Sequence, residues 1–209
     1  MRSALLPVLW VGYARLQGQD LIQNGSFESP AMSLGNYRYG VPVAGWTFSP
    51  ASLHGGSGIT TTQSLFTYDV NSGFGTQMAF LQADGNSISQ SVTFPNTSRY
   101  ALSFSYAGRT VIGGNLTFSV MVDNTTVGTF FSTTAQPFVK VGVQFDTTAG
   151  VHTLSFRGID TQGFYLDQTA FIDRVQLVQV PEPGPAWLLP GGLVLAGGWR
   201  RVTRSSKGS

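Results

Sequence analysis

The chain has 209 residues, no cysteine and a formal net charge of +2, which corresponds to a pI of about 9.1. The basic pI does not indicate a nucleic-acid partner, because half of the cations lie near the two ends: Arg2, Arg15, Arg200, Arg201, Arg204 and Lys207. Between Asp20 and Arg174 six scattered cations face nine carboxylates, a net charge of about −3, and the clustered Lys and Arg of a nucleic-acid-binding face are missing. About 160 central residues suit one domain with one core, which needs no disulfide framework.

The first 19 residues are predicted to be a signal peptide. Arg2 precedes an apolar run from Ala4 to Ala14, which has the length of a signal-peptide core and is too short to span a membrane. Arg15 lies where a neutral stretch normally leads to the cleavage site, and no small-x-small site precedes Asp20. Export is therefore expected, while the cleavage position and the true start of the chain stay open.

Residues 20–179 show the period-2 pattern of half-buried strands. Apolar residues alternate with Ser or Thr in Ala101–Tyr106, Leu116–Val122 and His152–Phe156, and no window has a helical stripe. Six further strands are expected near Ala44–Phe48, Met78–Gln82, Ile88–Phe94, Val127–Phe131, Phe138–Phe145 and Ala170–Val178. Short strands separated by turns rich in Gly, Asn, Asp and Pro predict an all-β fold, an antiparallel β-sandwich or jelly roll.

Two long polar segments, Ser29–Val43 and Ser49–Gly75, are expected to be surface loops that carry binding. Aromatic rings stack on the C–H faces of sugars, and planar polar groups bond to their hydroxyls. The candidate ligand-binding residues are Tyr37, Arg38, Tyr39, Tyr68, Arg109 and Tyr165, and Phe66, Phe74 and Phe164 belong to the same group of loop aromatics. The alternative is that most aromatics of a sandwich this size are core residues, Trp46 and Phe48 especially.

Three short motifs resemble those of the galactose-binding-domain-like β-sandwich, a fold shared by many carbohydrate-binding modules. They are Leu21–Glu28 at the opening, Gly45–Thr47 after a variable loop, and Ala170–Val175 at the close. The resemblance spans about Asp20 to Gln179 and implies the fold. It does not identify a ligand.

The same resemblance implies a structural calcium site. In many such modules a carboxylate near the first strand and one in the last strand bind Ca²⁺ together with backbone carbonyls, which corresponds here to Glu28 and Asp173. Ca²⁺ takes six to eight oxygen ligands, so this pair would join the two ends of the domain. The alternative is that both carboxylates cap turns or pair with Arg174 or Arg157. No other cofactor is expected.

The motifs of common hydrolases are missing, so the chain is not expected to be an enzyme. His54 and His152 are its only histidines, it has no cysteine, and neither a Gly-x-Ser-x-Gly nor a His-Glu-x-x-His motif occurs. His152 shares strand parity with Leu154 and Phe156, which favours a hydrogen-bonded histidine at the core edge over a general base. The remaining candidates for a catalytic carboxylate pair lie in predicted turns, where Asp is a normal turn residue: Asp69, Asp84, Asp160 and Asp167.

Residues 180–209 form a segment of different composition. Val180 is followed by Pro181, Glu182 and Pro183, then by an apolar run of 14 residues from Ala186 to Trp199, and then by Arg200, Arg201, Arg204 and Lys207. Arg and Lys resist crossing hydrocarbon and stay at the cytoplasmic face. The run is shorter than the roughly 17 to 25 residues of a comfortable span, so a short helix with a transient membrane insertion is expected.

This tail resembles the PEP-CTERM sorting signal of Gram-negative bacteria, which consists of a Pro-Glu-Pro triplet, a short hydrophobic helix and a basic end. The resemblance implies export across the inner membrane, cleavage near Pro181, Glu182 and Pro183 by an exosortase-type membrane protease, and delivery to the cell surface or extracellular matrix. The same tail is also known as an ice-binding protein C-terminal domain, from which no ice binding follows.

Two functions are consistent with these features. In the first, the sandwich binds extracellular polysaccharide without catalysis. In the second, it is a structural or adhesive matrix protein with no specific sugar ligand.

Overall fold

The computed structural model describes residues 18–52, 55–67, 70, 74–110, 115–159 and 167–181, and these ranges contain strands, turns and bends but no helix. None of these residues belongs to a helix that is long and apolar enough to cross a membrane. The strands of these ranges are β1 (Tyr37–Tyr39), β2 (Thr47–Phe48), β3 (Gly56–Thr61), β4 (Gln77–Gln82), β5 (Ser87–Phe94), β6 (Ser98–Gly108), β7 (Leu116–Val122), β8 (Thr125–Ser132), β9 (Val139–Thr147), β10 (Gly150–Ile159) and β11 (Thr169–Gln179).

The strands form two antiparallel sheets that pack face to face. One sheet has six strands in the order β1-β3-β4-β11-β6-β9, and the other has five in the order β2-β5-β10-β7-β8. Apolar side chains of both inner faces fill the space between the sheets, including Leu81, Leu102, Phe104, Phe118 and Phe156. The predicted all-β antiparallel sandwich is confirmed. The predicted signal segment and C-terminal helix lie outside the described residues.

All nine predicted strands are present: β7 has the predicted bounds, β2 is shorter than predicted, and the other seven are one to five residues longer. The prediction that Ser29–Val43 and Ser49–Gly75 are loops throughout is wrong, because they contain β1 and β3. All six residues of β3 are buried, and its sequence is Gly-Ser-Gly-Ile-Thr-Thr. A strand buried on both faces does not alternate apolar with polar residues, and small side chains give it no apolar signature.

The outer face of the six-stranded sheet carries a second apolar cluster. Along β4, Ala79 and Leu81 face the main core, whereas Met78 and Phe80 face outward and pack with Phe171 of β11. Every residue of β4 is buried, because the chain that follows β3 covers this outer face. The remaining members of the second cluster are Phe66, Val70 and Ala107, with Tyr39 and Phe138 packed against them.

Candidate functional site

An aromatic cluster lies where β1 meets the chain that covers the outer face. The ring of Phe66 stacks on Tyr37 at 5.3 Å between centroids and meets Tyr39 edge-on at 6.2 Å. Tyr39 also contacts Phe80 edge-on at 4.8 Å. This contact needs Gly58, which pairs with Tyr39 across the strands and where a Cβ would collide with the ring of Phe80. Tyr37 is 45% exposed, so the cluster presents an aromatic ring to solvent.

A polar network borders the aromatic cluster. The hydroxyl of Tyr39 donates to Oε1 of Gln82 at 2.5 Å, and Nε2 of Gln82 donates to Oδ1 of Asp167 at 2.6 Å. The same oxygen accepts a hydrogen bond from Nη1 of Arg109. The Arg109 guanidinium lies 4.6 Å from the centroid of Phe66, in cation–π contact. A phenol, an amide, a carboxylate and a guanidinium are thus connected by hydrogen bonds beside the aromatic cluster.

Strand ends bring the network together. Gln82 is the last residue of β4 and pairs with Thr169, the first residue of β11, and Asp167 lies two residues before that strand. Arg109 directly follows β6, whose last residue pairs with Ala170. Antiparallel pairing therefore places three side chains that are distant in sequence at the same end of the sheet.

The Tyr39 phenol stays protonated in this environment. Its burial raises the pKa of Tyr39 above its ordinary value, and the nearby Tyr37 and Asp167 raise it further, whereas Arg109 and the bond to Gln82 oppose the shift. A protonated phenol can donate to Gln82, which is what the geometry requires. At neutral pH the Tyr39 hydroxyl therefore remains the donor in its hydrogen bond to Gln82.

Three of the six predicted ligand-binding residues, Tyr37, Tyr39 and Arg109, meet here around Phe66. Arg38 is exposed and, by strand alternation, projects from the other face of β1. Tyr68 and Tyr165 lie outside the described residues. The three residues that converge come from a strand, β1, and from the end of β6, not from the long loops that the sequence predicted.

The sequence does not single out Gln82 as a site residue, and it presents Asp167 as a turn residue or as half of a catalytic carboxylate pair. A signal existed for Gln82, which ends the apolar strand Gln77–Gln82 and is buried. A buried amide needs hydrogen-bond partners, so its position predicts a polar neighbour without identifying it.

Glu28 and Asp173 lie toward the other end of β4. Oε1 of Glu28 accepts the backbone N–H groups of Thr76 and Gln77 at 2.9 Å each, and Oε2 accepts the Thr76 hydroxyl at 3.1 Å. Asp173 is fully buried in β11, and its Oδ1 accepts the amide of Arg174. Glu28 thus caps the turn before β4. Both carboxylates lie toward the end of β4 opposite Gln82, and their oxygens are potential ligands for a metal ion.

Within the described ranges no group of three or more His, Asp or Glu side chains could hold a metal. Glu28 and Asp173 would have to be completed by backbone carbonyls and water, as Ca²⁺ permits. The calcium site stays a prediction.

His152 lies on β10 in the other sheet, away from the aromatic cluster. Its Nδ1 is 2.8 Å from Oδ2 of Asp123 and its Nε2 is 3.1 Å from the carbonyl of Thr148. Its side chain is 16% exposed. This is the hydrogen-bonded histidine at the core edge that the strand parity predicted. His54 lies outside the described residues.

The described chain ends beside the sorting segment. The last strand ends at Gln179, and the amide of Val180 donates to the carbonyl of Arg99 at 2.9 Å. Pro181 is the last described residue. Glu182, Pro183, Arg200 and Arg201 lie outside the described residues.

No family model matches this sequence, and none of the curated proteins compared with it matches either. The resemblance of the tail to the PEP-CTERM signal therefore depends on its residues alone. Solved structures do match, and 132 chains are similar at a significant level.

The Stig cyclase Fisc from Fischerella sp. TAU is 17% identical, with a TM-score of 0.55 over 78% of this chain and 98% of its own. The module TmCBM61, solved in complex with β-1,4-galactotriose, is 13% identical, with a TM-score of 0.51 over 77% of this chain and 99% of its own. The CBM22-1 xylan-binding domain from Paenibacillus barcinonensis Xyn10C is 17% identical, with a TM-score of 0.48 over 81% of this chain and 99% of its own.

The two likenesses with TM-scores above 0.5 define the class of fold. The chain has the β-sandwich of carbohydrate-binding modules, which agrees with the resemblance of its opening and closing motifs. A cyclase has a similar sandwich, so the fold by itself is compatible with binding and with catalysis.

Proposed function

We propose that this chain is an exported, exosortase-processed protein of the cell surface or extracellular matrix, and that its β-sandwich binds carbohydrate without catalysis. The observation that carries the binding proposal is the exposed Tyr37 ring, backed by Phe66 and bordered by the network of Tyr39, Gln82, Asp167 and Arg109.

The chemistry of this surface matches that of a sugar. A pyranose has an apolar C–H face, which packs on an aromatic ring, and a rim of hydroxyls, which bond to planar polar groups. Tyr37 and Tyr39 lie 6.2 Å apart with nearly perpendicular rings, so only Tyr37 offers a broad face. Stacking of Tyr37 on Phe66 fixes the ring before binding, which reduces the entropy lost when a ligand docks.

Pull-down on immobilised polysaccharides tests the binding proposal. A panel of β-1,4-galactan, xylan, β-1,3-glucan and mannan, with alginate and polygalacturonate as acidic polymers, covers the main backbone types. We expect the purified chain to bind at least one polymer, and we expect Tyr37→Ala to weaken that binding roughly fivefold or more, about 1 kcal/mol.

Phe131→Ala is the matched control. Phe131 is 48% exposed, close to the 45% of Tyr37, but it lies on β8 of the other sheet. It should leave binding unchanged. Equal losses in both variants, or no binding by the unaltered chain, would contradict the proposal.

The alternative of a structural matrix protein makes a separate prediction. It requires that Ala at Tyr37, Tyr39 and Arg109 leave retention at the cell surface unchanged, while deletion of residues 181–209 abolishes it. The binding proposal instead requires that the alanine variants reduce retention on the polysaccharide matrix.

Export and processing are proposed from the two terminal segments. The end of β11 at Gln179, two residues before Pro181, supports a cut near the triplet that leaves the sandwich whole. Mass spectrometry of the surface protein should find peptides that end near Glu182. Peptides that contain Trp199 and Arg200 in the mature protein would contradict this.

We also propose that a structural Ca²⁺ is held by Glu28 and Asp173. The ion would join the opening and closing segments of the domain and would take no part in ligand contacts. Thermal unfolding with 1 mM EDTA should then occur at a lower temperature than with 1 mM CaCl₂. Identical unfolding temperatures would contradict a bound ion.

A further inference from the structure

The ion pair beside the aromatic cluster is unequally exposed. The side chain of Asp167 is 48% exposed, whereas that of Arg109 is 13% exposed. Both donors that reach Asp167, from Gln82 and Arg109, bond to Oδ1. Within the described part of the chain, Oδ2 accepts no hydrogen bond. The surface therefore presents a carboxylate oxygen with open acceptor capacity.

The positive charge of the pair faces inward. The guanidinium of Arg109 lies against the ring of Phe66, and its Nη1 is committed to Asp167. Its Nε is buried and has no hydrogen-bond partner among the described residues. Arg109 thus neutralises Asp167 from the buried side, and little of its guanidinium is accessible to a ligand.

Three other described cations lie away from this point. Lys140 of β9 pairs with Ser105 of β6. Ser105 lies four residues before Arg109, a separation of about 13 Å at 3.3 Å per residue. Arg38 projects from the opposite face of β1. Arg174 lies over Phe74, toward the other end of β11. Among the described residues, the charged groups that act on Tyr39 are Asp167 and Arg109.

We propose that Asp167 is a specificity-determining residue, which makes the site select neutral polysaccharides and reject those that carry uronate or sulfate groups. The inference rests on the proposed carbohydrate binding and extends it to the class of sugar. A sugar stacked on Tyr37 would donate a hydroxyl proton to Oδ2 of Asp167.

The selection follows from donor and acceptor chemistry. A hydroxyl donates to a carboxylate in a charge-assisted bond, which is stronger than a neutral one. A uronate or sulfate oxygen has no proton to donate at neutral pH and meets a second anion at hydrogen-bond distance. Arg109, already paired, cannot compensate both charges. The repulsion between exposed anions decreases as salt increases.

The test compares neutral polymers with oxidised forms of the same polymers. The probes are β-1,4-galactan, β-1,3-glucan and mannan, each before and after oxidation of its primary hydroxyls to carboxylates, together with alginate and polygalacturonate. We expect the purified chain to bind a neutral polymer at least tenfold more tightly than its oxidised form. Asp167→Asn should reduce that preference several-fold, because it removes the repelling charge and releases Arg109.

The chain contains a matched control at the other end of β6. Arg99 and Asp146 form an exposed ion pair with an N–O distance of 3.0 Å. Arg99 precedes Arg109 by ten residues, which corresponds to about 33 Å along the strand. Asp146→Asn makes the same change in net charge and should leave the neutral preference as it is. An equal effect of Asp146→Asn and Asp167→Asn would overturn the role of Asp167.

The remaining outcomes separate the two proposals. If the unaltered chain binds an oxidised or acidic polymer as tightly as a neutral one, the specificity inference is overturned while the proposed function stands. If the chain binds no polymer, both proposals fail.

If Asp167→Asn does not fold, a NaCl titration of the unaltered chain tests the inference instead. The preference should shrink as NaCl rises from 0.05 to 0.5 M, and a preference independent of salt would overturn the inference.

Discussion

His152 and Asp123 join two turns at one end of the five-stranded sheet. Asp123 begins the turn from β7 to β8, and Thr148 belongs to the turn from β9 to β10. His152 has acceptors at both ring nitrogens, the Asp123 carboxylate and the Thr148 carbonyl. The protonated imidazole can donate to both acceptors, whereas the neutral ring can donate to Asp123 and accept the hydroxyl of Thr148, whose oxygen is 3.3 Å from Nε2. The hydrogen bond to Asp123 accordingly raises the pKa of His152 above its ordinary 6.5.

This pair predicts a pH dependence of stability. Since the pKa of His152 is raised in the folded state, its contribution is fully present below about 6.5 and is lost as pH rises through the folded value. The bond to His152 lowers the pKa of Asp123 below 3.8, so its contribution is present above that value and is lost as pH falls through the folded one. The pair stabilises most between these limits.

The melting temperature of the unaltered chain should fall between pH 5.5 and pH 8.5 as this contribution is lost, and in Asp123→Asn it should fall less. Asn tolerates the positive φ of 52° at this position, so the turn itself should survive. Asp146→Asn, whose partner Arg99 does not titrate in this range, should keep the decline of the unaltered chain. Superimposable curves for Asp123→Asn and the unaltered chain would contradict the assignment.

Strands β1 and β3 set the shape of the candidate site. Their pairing places Tyr39 over Gly58, and the missing side chain of Gly58 leaves room for the contact between Tyr39 and Phe80. A Cβ on Gly58 would also collide with the backbone carbonyl of Arg38, the residue between the two tyrosines. The aromatic cluster and the strand pairing therefore depend on the same glycine.

Gly58→Ala should lower the free energy of unfolding by about 1–3 kcal/mol, the range for overpacking of a tight site. Urea denaturation gives the value. Gly142→Ala, in edge strand β9 of the same sheet, brings its Cβ to 3.1 Å from the carbonyl of Leu102 and should cost less. A Gly58→Ala chain as stable as Gly142→Ala would show that β1 does not pair as described.

The sequence predicts the strands that carry an apolar pattern, and it does not predict β1 and β3. Alternation revealed strands such as β6 and β7, because one face of each packs apolar residues. It failed for β3, which has neighbours on both faces and uses Gly, Ser and Thr to fit between them. It also failed for β1, whose three residues are too few to show a period.

The candidate site was predicted only in part for a related reason. Tyr37, Tyr39 and Arg109 were selected for their chemistry, and the fold brings them together. The pairing of Gln82 with Asp167 spans 85 positions and depends on the register of β4 against β11. The register of two strands depends on how the whole sheet pairs, so the sequence of either strand alone does not predict it.

The whole molecule consists of a sandwich whose last strand ends just before the sorting segment. Val180 forms the last described backbone hydrogen bond, to Arg99. Removal of the residues after Pro181 should therefore leave the sandwich intact, because none of the described contacts is lost. We expect a chain that ends at Pro181 to melt within about 2 °C of the full chain, less than the shift that 1 kcal/mol produces in a domain of this size. A larger decrease would show that the tail is part of the domain.

Binding of polysaccharide at the Tyr37 surface can be observed residue by residue. The measurement is an NMR titration of the aromatic side-chain resonances with an oligosaccharide of the polymer that the chain binds best. We predict that the ring signals of Tyr37 and Tyr39 shift in proportion to saturation, while those of Phe131 on the other sheet stay unchanged. Saturable binding that shifts the Phe131 signals and leaves those of Tyr37 and Tyr39 unchanged would show that the polysaccharide binds elsewhere.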